Sequence, residues 1–176
     1  MLLDLSRVRT ARERCEERYQ PDAFAPEGEI FRVVAPAALD FDIFKDKQQF
    51  RLIGTVKTTL ELECGRCLEA FELPVDAPFD LRYQPQVENR AEGKEADVEV
   101  DEDDLTTAFY EHDQIDLGQL MREQFLLAIP MKPLCGADCR GLCPVCGTNF
   151  NRDMCACKRE WDDPRLAVLR ALKTEN

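Results

Sequence analysis

Residues 135–157 read Cys-Gly-Ala-Asp-Cys-Arg-Gly-Leu-Cys-Pro-Val-Cys-Gly-Thr-Asn-Phe-Asn-Arg-Asp-Met-Cys-Ala-Cys, and no other stretch limits the fold as strongly. Six cysteines (Cys135, Cys139, Cys143, Cys146, Cys155 and Cys157) fall in 23 residues with few other apolar side chains. Ordering such a segment costs entropy that its own core material does not offset. A Zn²⁺ ion can supply the difference. It takes four ligands in a tetrahedron, with sulfur at about 2.3 Å, and its binding energy is folding energy. Cys143-Pro-Val-Cys146 offers two ligands from one tight turn, a zinc-knuckle sequence. Pro144 stiffens the turn and Gly147 lets the backbone curl, so that amides face the sulfurs. Cys155 and Cys157, two apart, face the same way in an extended segment. Cys135 and Cys139, four apart, share one face of a helical turn. Spacing does not choose between these pairs, and the expected set is Cys143 and Cys146 with members of both flanking pairs. Free thiols in a loose tail are the alternative, and such thiols oxidise.

Four thiolates around Zn²⁺ sum to −2. Residues 131–160 carry Lys132, Arg140, Arg152, Lys158 and Arg159 against Asp138, Asp153 and Glu160, so the basic side chains offset the thiolate charge and leave no obvious RNA-binding patch. A second pair stands upstream, Cys64-Gly-Arg-Cys67. It could join leftover cysteines in a second four-sulfur site, act as a redox pair, or pack as two thiols on a hairpin. A reactive Cys-x-x-Cys has its first sulfur at a helix N-terminus, whereas the flanks here read as strands. Cys15 stands apart from all of these and reads as a small core residue.

The whole chain has 176 residues and a net charge of −12. That length suits one domain with a small appendage. The charge disfavours indiscriminate binding to nucleic acid or anionic lipid and suits a basic protein partner. Residues 1–20 are arginine-rich without the apolar run of a secretion signal, and no stretch approaches membrane-spanning length. A cytoplasmic location is expected, where clustered cysteines mean metal or redox chemistry more often than disulfides.

Hydrophobic periodicity predicts the remaining elements. A short strand covers residues 1–5. From Ser6, the positions Val8, Ala11, Cys15 and Tyr19 recur at helical spacing up to Pro21. Strands are predicted over 29–35 and 48–63. Gly65-Arg66 is predicted to turn a two-residue hairpin, placing Cys64 opposite Cys67, Leu62 opposite Glu69 and Leu60 opposite Phe71. The return strand runs toward Tyr83. Nine acids between Glu88 and Asp104 predict a solvated loop with a short strand near Val98–Val100, and an acidic patch for a basic partner is the sharper reading. A strand follows over 105–110. Asp116 caps a helix, with Gln119 as in a capping box, and Pro130 ends it. A last helix begins at Asp163-Pro164.

Enzyme chemistry finds little support. The single histidine, His112, lies between two acids, and no phosphate-binding glycine loop occurs. An all-sulfur ligand set favours a closed structural site over a catalytic one.

Four stretches carry a resemblance. They are Glu63-Cys-Gly-Arg-Cys-Leu-Glu-Ala-Phe71, Leu127-Ala-Ile-Pro-Met-Lys-Pro-Leu-Cys135, Gly141-Leu-Cys-Pro-Val-Cys-Gly147 and Asp163-Pro-Arg-Leu166. Together they resemble the bacterial YceD (DUF177) family. The resemblance implies a role in accumulation of large-subunit ribosomal RNA, hence in ribosome biogenesis, with no established enzymatic activity. It also implies a gene often beside that of a large-subunit ribosomal protein, and plant relatives in organelles. Not every member carries the C-terminal cysteines. The zinc site is then a stabilising elaboration, and the Cys64–Cys67 hairpin the better candidate for the shared function.

The resulting expectation is an α+β fold. A mainly antiparallel sheet or partly closed barrel, with covering helices, occupies 1–130, and a cysteine-rich zinc-binding arm with a C-terminal helix occupies 131–176. The expected function is a non-enzymatic assembly factor that contacts a ribosomal protein, a large-subunit ribosomal RNA precursor, or both, with neither membrane nor small-molecule substrate. The alternatives are a thiol-redox or zinc-responsive regulator using Cys64 and Cys67, and, last, a metal-dependent RNA-processing enzyme.

Overall fold

Period-two alternation builds the two longest elements. In strand β5 (Gln49–Glu63) the even positions Phe50, Leu52, Val56, Leu60 and Leu62 are buried, while Arg51 and Lys57 point outward. Strand β6 (Ala70–Pro85) runs antiparallel beside it, from Phe50 opposite Tyr83 to Glu63 opposite Ala70. A computed structural model describes residues 1–24, 30–86 and 107–157 of the chain.

The other edge of β5 is shared by two strands. β4 (Ala37–Asp46) pairs with residues 49–57, and β3 (Phe31–Val33) with residues 60–62. β2 (Arg12–Tyr19) adds to β4, and β7 (Thr107–Tyr110) joins β6 in parallel, giving the order β2-β4-β5-β6-β7. The end strands β2 and β7 do not pair with each other, so the sheet is open and not a closed barrel. A second, two-stranded sheet of β1 (Leu2–Asp4) and β8 (Gln114–Asp116) leads into helix α1 (Leu117–Ala128). Among the described residues this is the one α-helix, where several covering helices were expected.

Asp116 caps α1 by accepting from the amides of Gly118 (2.8 Å) and Gln119 (3.3 Å). The Gln119 side chain donates to Glu123 and does not reach back, so only half of a capping box forms. The helix buries Leu117, Leu120, Met121 and Phe125. Phe125 meets the edges of Phe24 and Phe31 at ring distances of 5.6 and 5.9 Å. Burial of such a ring contributes about 3 kcal/mol. The opposite face of the sheet is polar and carries the ion pairs Arg12–Asp42, Arg51–Asp80, Arg32–Glu61 and Lys57–Asp76.

Three expectations are corrected. Residues 12–19 form a strand, not a helix. Cys15 and Tyr19 are four apart, and a spacing of four satisfies both a helical face and strand alternation, so the sheet decided. β4 was not anticipated at all. The hairpin between β5 and β6 is longer than two residues, and Leu62 faces Phe71 while Leu60 faces Leu73. That slip moves each partner by two residues and so leaves the buried face unchanged. The acidic run 88–104 and the helix from Asp163 lie outside the described residues.

Candidate metal centres

β5 ends in Cys64-Gly-Arg-Cys67. The Cys64 amide donates to the Glu69 carbonyl (2.9 Å), and the Leu68 amide donates to the Cys64 carbonyl (2.9 Å). Leu68 sits in the left-handed region at φ 58°. Cys143-Pro-Val-Cys146 repeats this turn. The Cys143 amide donates to the Thr148 carbonyl (2.8 Å) and the Gly147 amide to the Cys143 carbonyl (2.9 Å), with Gly147 at φ 73°. In both turns the first sulfur accepts from the two amides that follow: Arg66 and Cys67 for Cys64, Val145 and Cys146 for Cys143. Amides aimed at sulfur stabilise the thiolate that a metal requires.

The eight cysteines form two groups. Cys64, Cys67, Cys135 and Cys139 bring their sulfurs within 4.8 Å of one another, and Cys143, Cys146, Cys155 and Cys157 do the same; each group can hold a metal ion. In the first, Cys64 and Cys139 sulfurs lie 3.8 Å apart and those of Cys67 and Cys135 3.7 Å. The edge of a sulfur tetrahedron with bonds of about 2.3 Å is about 3.8 Å. A disulfide would need about 2.05 Å, and none of the nine cysteines is in one. Distance and donor chemistry thus fit a four-thiolate ion. Cys135 and Cys139 go with the upstream hairpin, and Cys155 and Cys157 with the knuckle.

Hydrogen bonds stitch the chain after α1 to the first turn. The Gly65 amide donates to the Pro133 carbonyl (2.8 Å), the Leu142 amide to the Arg66 carbonyl (3.2 Å), and the Arg66 guanidinium to the Cys139 carbonyl (3.0 Å). Gly141 is required here: at φ 72° it lies so close that an added Cβ would sit 3.0 Å from the Arg66 carbonyl oxygen. Asn149 and Arg152 both bind the Glu69 carboxylate. Asn151 links the two groups. Its side chain donates to the Cys139 sulfur (3.3 Å) and accepts from the Arg140 amide (2.8 Å).

Charge is divided unevenly within each group. Burial opposes ionisation of Cys64, but the amides of Cys135, Cys67 and Arg66 outweigh it and bring its pKa down to about 6. Hydrogen bonds from the side chain and backbone of Thr148 bring Cys146 to about 6 as well. Their neighbours hold protons instead: Cys135 is pushed up to about 12 by Cys67 and Cys139, and Cys157 to about 12 by Cys146. Like charges this close do not ionise together unless a cation joins them.

Two other residues stand outside these groups. Cys15 is half-buried against the main core. His112 sits at the tip of the β7–β8 turn with its side chain 88% exposed, which supports no general-base role.

The sequence profile of the family described as "Large ribosomal RNA subunit accumulation protein YceD" matches residues 52–173, a span that takes in all eight clustered cysteines. The chain belongs to the YceD family. Relatives include the "Large ribosomal RNA subunit accumulation protein YCED homolog 1, chloroplastic" of Arabidopsis thaliana, 28% identical over 80% of this chain and 49% of that protein. The maize protein of the same name is 29% identical over 70% of this chain and 49% of its own length. An uncharacterized protein of Mycobacterium bovis is 31% identical over 80% of this chain and 65% of its length. The chain thus spans about half the length of the plant YceD relatives it matches. No solved structure matches. No helix among the described residues is long and apolar enough to cross a membrane.

Proposed function

We propose that this YceD-family chain is a non-enzymatic factor for accumulation of large-subunit ribosomal RNA, and so acts in ribosome biogenesis, with two structural Zn²⁺ ions holding its C-terminal arm to its sheet. The observation that carries the reading is the family match over residues 52–173 to relatives named for that role. Zinc is the ion of choice because both ligand sets are all sulfur and complete without solvent, the pattern of a closed structural site. Division into a core over 1–130 and an arm over 131–176 belongs to the same reading, as does a cytoplasmic location. The direct contact is a large-subunit ribosomal RNA precursor, a ribosomal protein, or both.

The low pKa of Cys64 also suits a thiol-redox or zinc-responsive regulator. Burial speaks for the structural role, since Cys64 is fully buried and Cys67 and Cys139 nearly so. Affinity capture of the tagged chain from cells tests the proposal. Recovery of large-subunit precursors is expected, and their absence with intact protein would remove it.

A further inference from the structure

The sheet register lines up four side chains on its outer face. Arg12 on β2 is opposite Phe44 on β4, Phe44 opposite Arg51 on β5, and Arg51 opposite Arg82 on β6. Adjacent strands lie about 4.8 Å apart, so the row spans about 14 Å. Arg51 and Arg82 stand directly opposite each other, and the Asp80 carboxylate interacts with both. The Arg12 guanidinium lies 5.3 Å from the centre of the Phe44 ring. Asp42 binds Arg12, and Asp80 binds Arg51 through two bonds of 2.7 and 2.6 Å. These are surface pairs of modest net worth, so a phosphate can compete for the guanidiniums against repulsion from the tethered carboxylates. Beside the row a cavity of about 330 Å³ is lined by Phe44, Phe50, Lys45, Arg51 and Arg82, with the acid Asp46 among its other lining residues. Three cations (Lys45, Arg51 and Arg82) against one acid (Asp46) around two aromatic rings stand out on a chain of net charge −12.

We propose that this row docks single-stranded RNA. The spaced guanidiniums of Arg12, Arg51 and Arg82 take successive phosphates, and Phe44 with its neighbouring cavity takes a base. Guanidinium forks match phosphate oxygens in pairs, and unpaired RNA bases are recognised by stacking on aromatic rings and guanidinium planes. An acidic peptide could also meet the arginines, and the family's link to large-subunit ribosomal RNA favours the nucleic acid. The inference rests on the ribosomal-RNA reading above and deepens it by naming the surface.

Anisotropy of a short fluorescein-labelled oligouridylate, titrated with the full chain at low salt, tests it. Wild type binds. Arg82→Glu weakens binding about tenfold and lowers the salt slope by about 0.7. Arg32→Glu, the same charge change at the far end of the sheet where Arg32 pairs with Glu61, leaves affinity within about twofold. Phe44→Leu weakens binding without altering the salt slope, and Arg82→Gln covers the case in which the glutamate variant misfolds. Equal losses in the Arg82 and Arg32 variants would overturn the proposal, as would no binding by wild type. Displacement by polyglutamate as readily as by unlabelled RNA would overturn it too and assign the row to an acidic protein segment. Cell capture separates the two readings. If wild type and Arg82→Glu recover precursors equally, the row fails while the assembly role stands. If wild type recovers none yet binds the oligonucleotide through Arg82, the row stands without that role.

Discussion

Leu68 and Gly147 occupy the same place in two copies of one turn. Each donates its amide to the carbonyl of the cysteine four residues earlier, and each holds a left-handed backbone. Glycine adopts that conformation freely, whereas leucine is strained there by about 1–2 kcal/mol. The Leu68 side chain is 58% exposed, so little packing offsets the strain. Nothing lies within 4 Å of a Cβ added at Gly147. Gly147→Ala should therefore cost about 1 kcal/mol for backbone reasons alone, while Leu68→Gly leaves stability unchanged or raises it. Denaturant unfolding of both variants decides this. A larger loss for Leu68→Gly would show that the leucine side chain matters in its own right.

Purified protein should carry two zinc ions per chain by native mass spectrometry. Cys64→Ser/Cys67→Ser and Cys155→Ser/Cys157→Ser should each reduce the number to one, because the two ligand sets share no residue. One ion in the wild type, or loss of both in either variant, contradicts two separate sites.

Asn151 should matter to metal binding without being a ligand. Its amide nitrogen reaches the Cys139 sulfur from the segment that carries the other group. Hydrogen bonds of this kind orient ligands, and removing one weakens metal binding about tenfold or more. Asn151→Ala should speed zinc loss to a chelator from the Cys64 group more than from the Cys143 group. Loss at equal rates would place Asn151 outside ligand positioning.

Two surface ion pairs should make a small contribution to acid stability. The hydrogen bond from Arg12 holds Asp42 below its ordinary pKa of 3.8, and that from Arg51 does the same for Asp80. A depressed folded-state pKa contributes stability that is present above the unfolded value and lost as pH falls through the folded one. From about pH 5 to pH 3, wild type should therefore lose more stability than Asp42→Asn/Asp80→Asn. Melting curves for both proteins over that range give the comparison, and parallel decline would assign acid unfolding to other groups, the cysteine sites foremost.

Much of the fold was legible because its strands alternate strictly. β5 buries every even position except Gly54, and the Asp116 cap and Pro130 stop bracket α1. Legibility failed where two periods coincide, as with Cys15 and Tyr19, and where the hairpin needed a left-handed leucine. No residue preference flags Leu68 for that role, so Gly65-Arg66 looked like the turn itself. The same leucine hid the kinship of Cys64-Gly-Arg-Cys67 with Cys143-Pro-Val-Cys146. Partner choice among the cysteines depends on contacts such as Gly65 to Pro133, which join residues distant in sequence and leave no local pattern.

The two cysteine groups differ in the length of chain each must gather. Cys64 and Cys139 are 75 positions apart, whereas Cys143 to Cys157 is a local ring. Ring-closure entropy grows with the logarithm of length, and the longer closure costs about 1.5 kcal/mol more. On refolding with limiting metal the narrow ring should therefore fill first, and the wide one only after the sheet that carries Cys64 and Cys67 has formed.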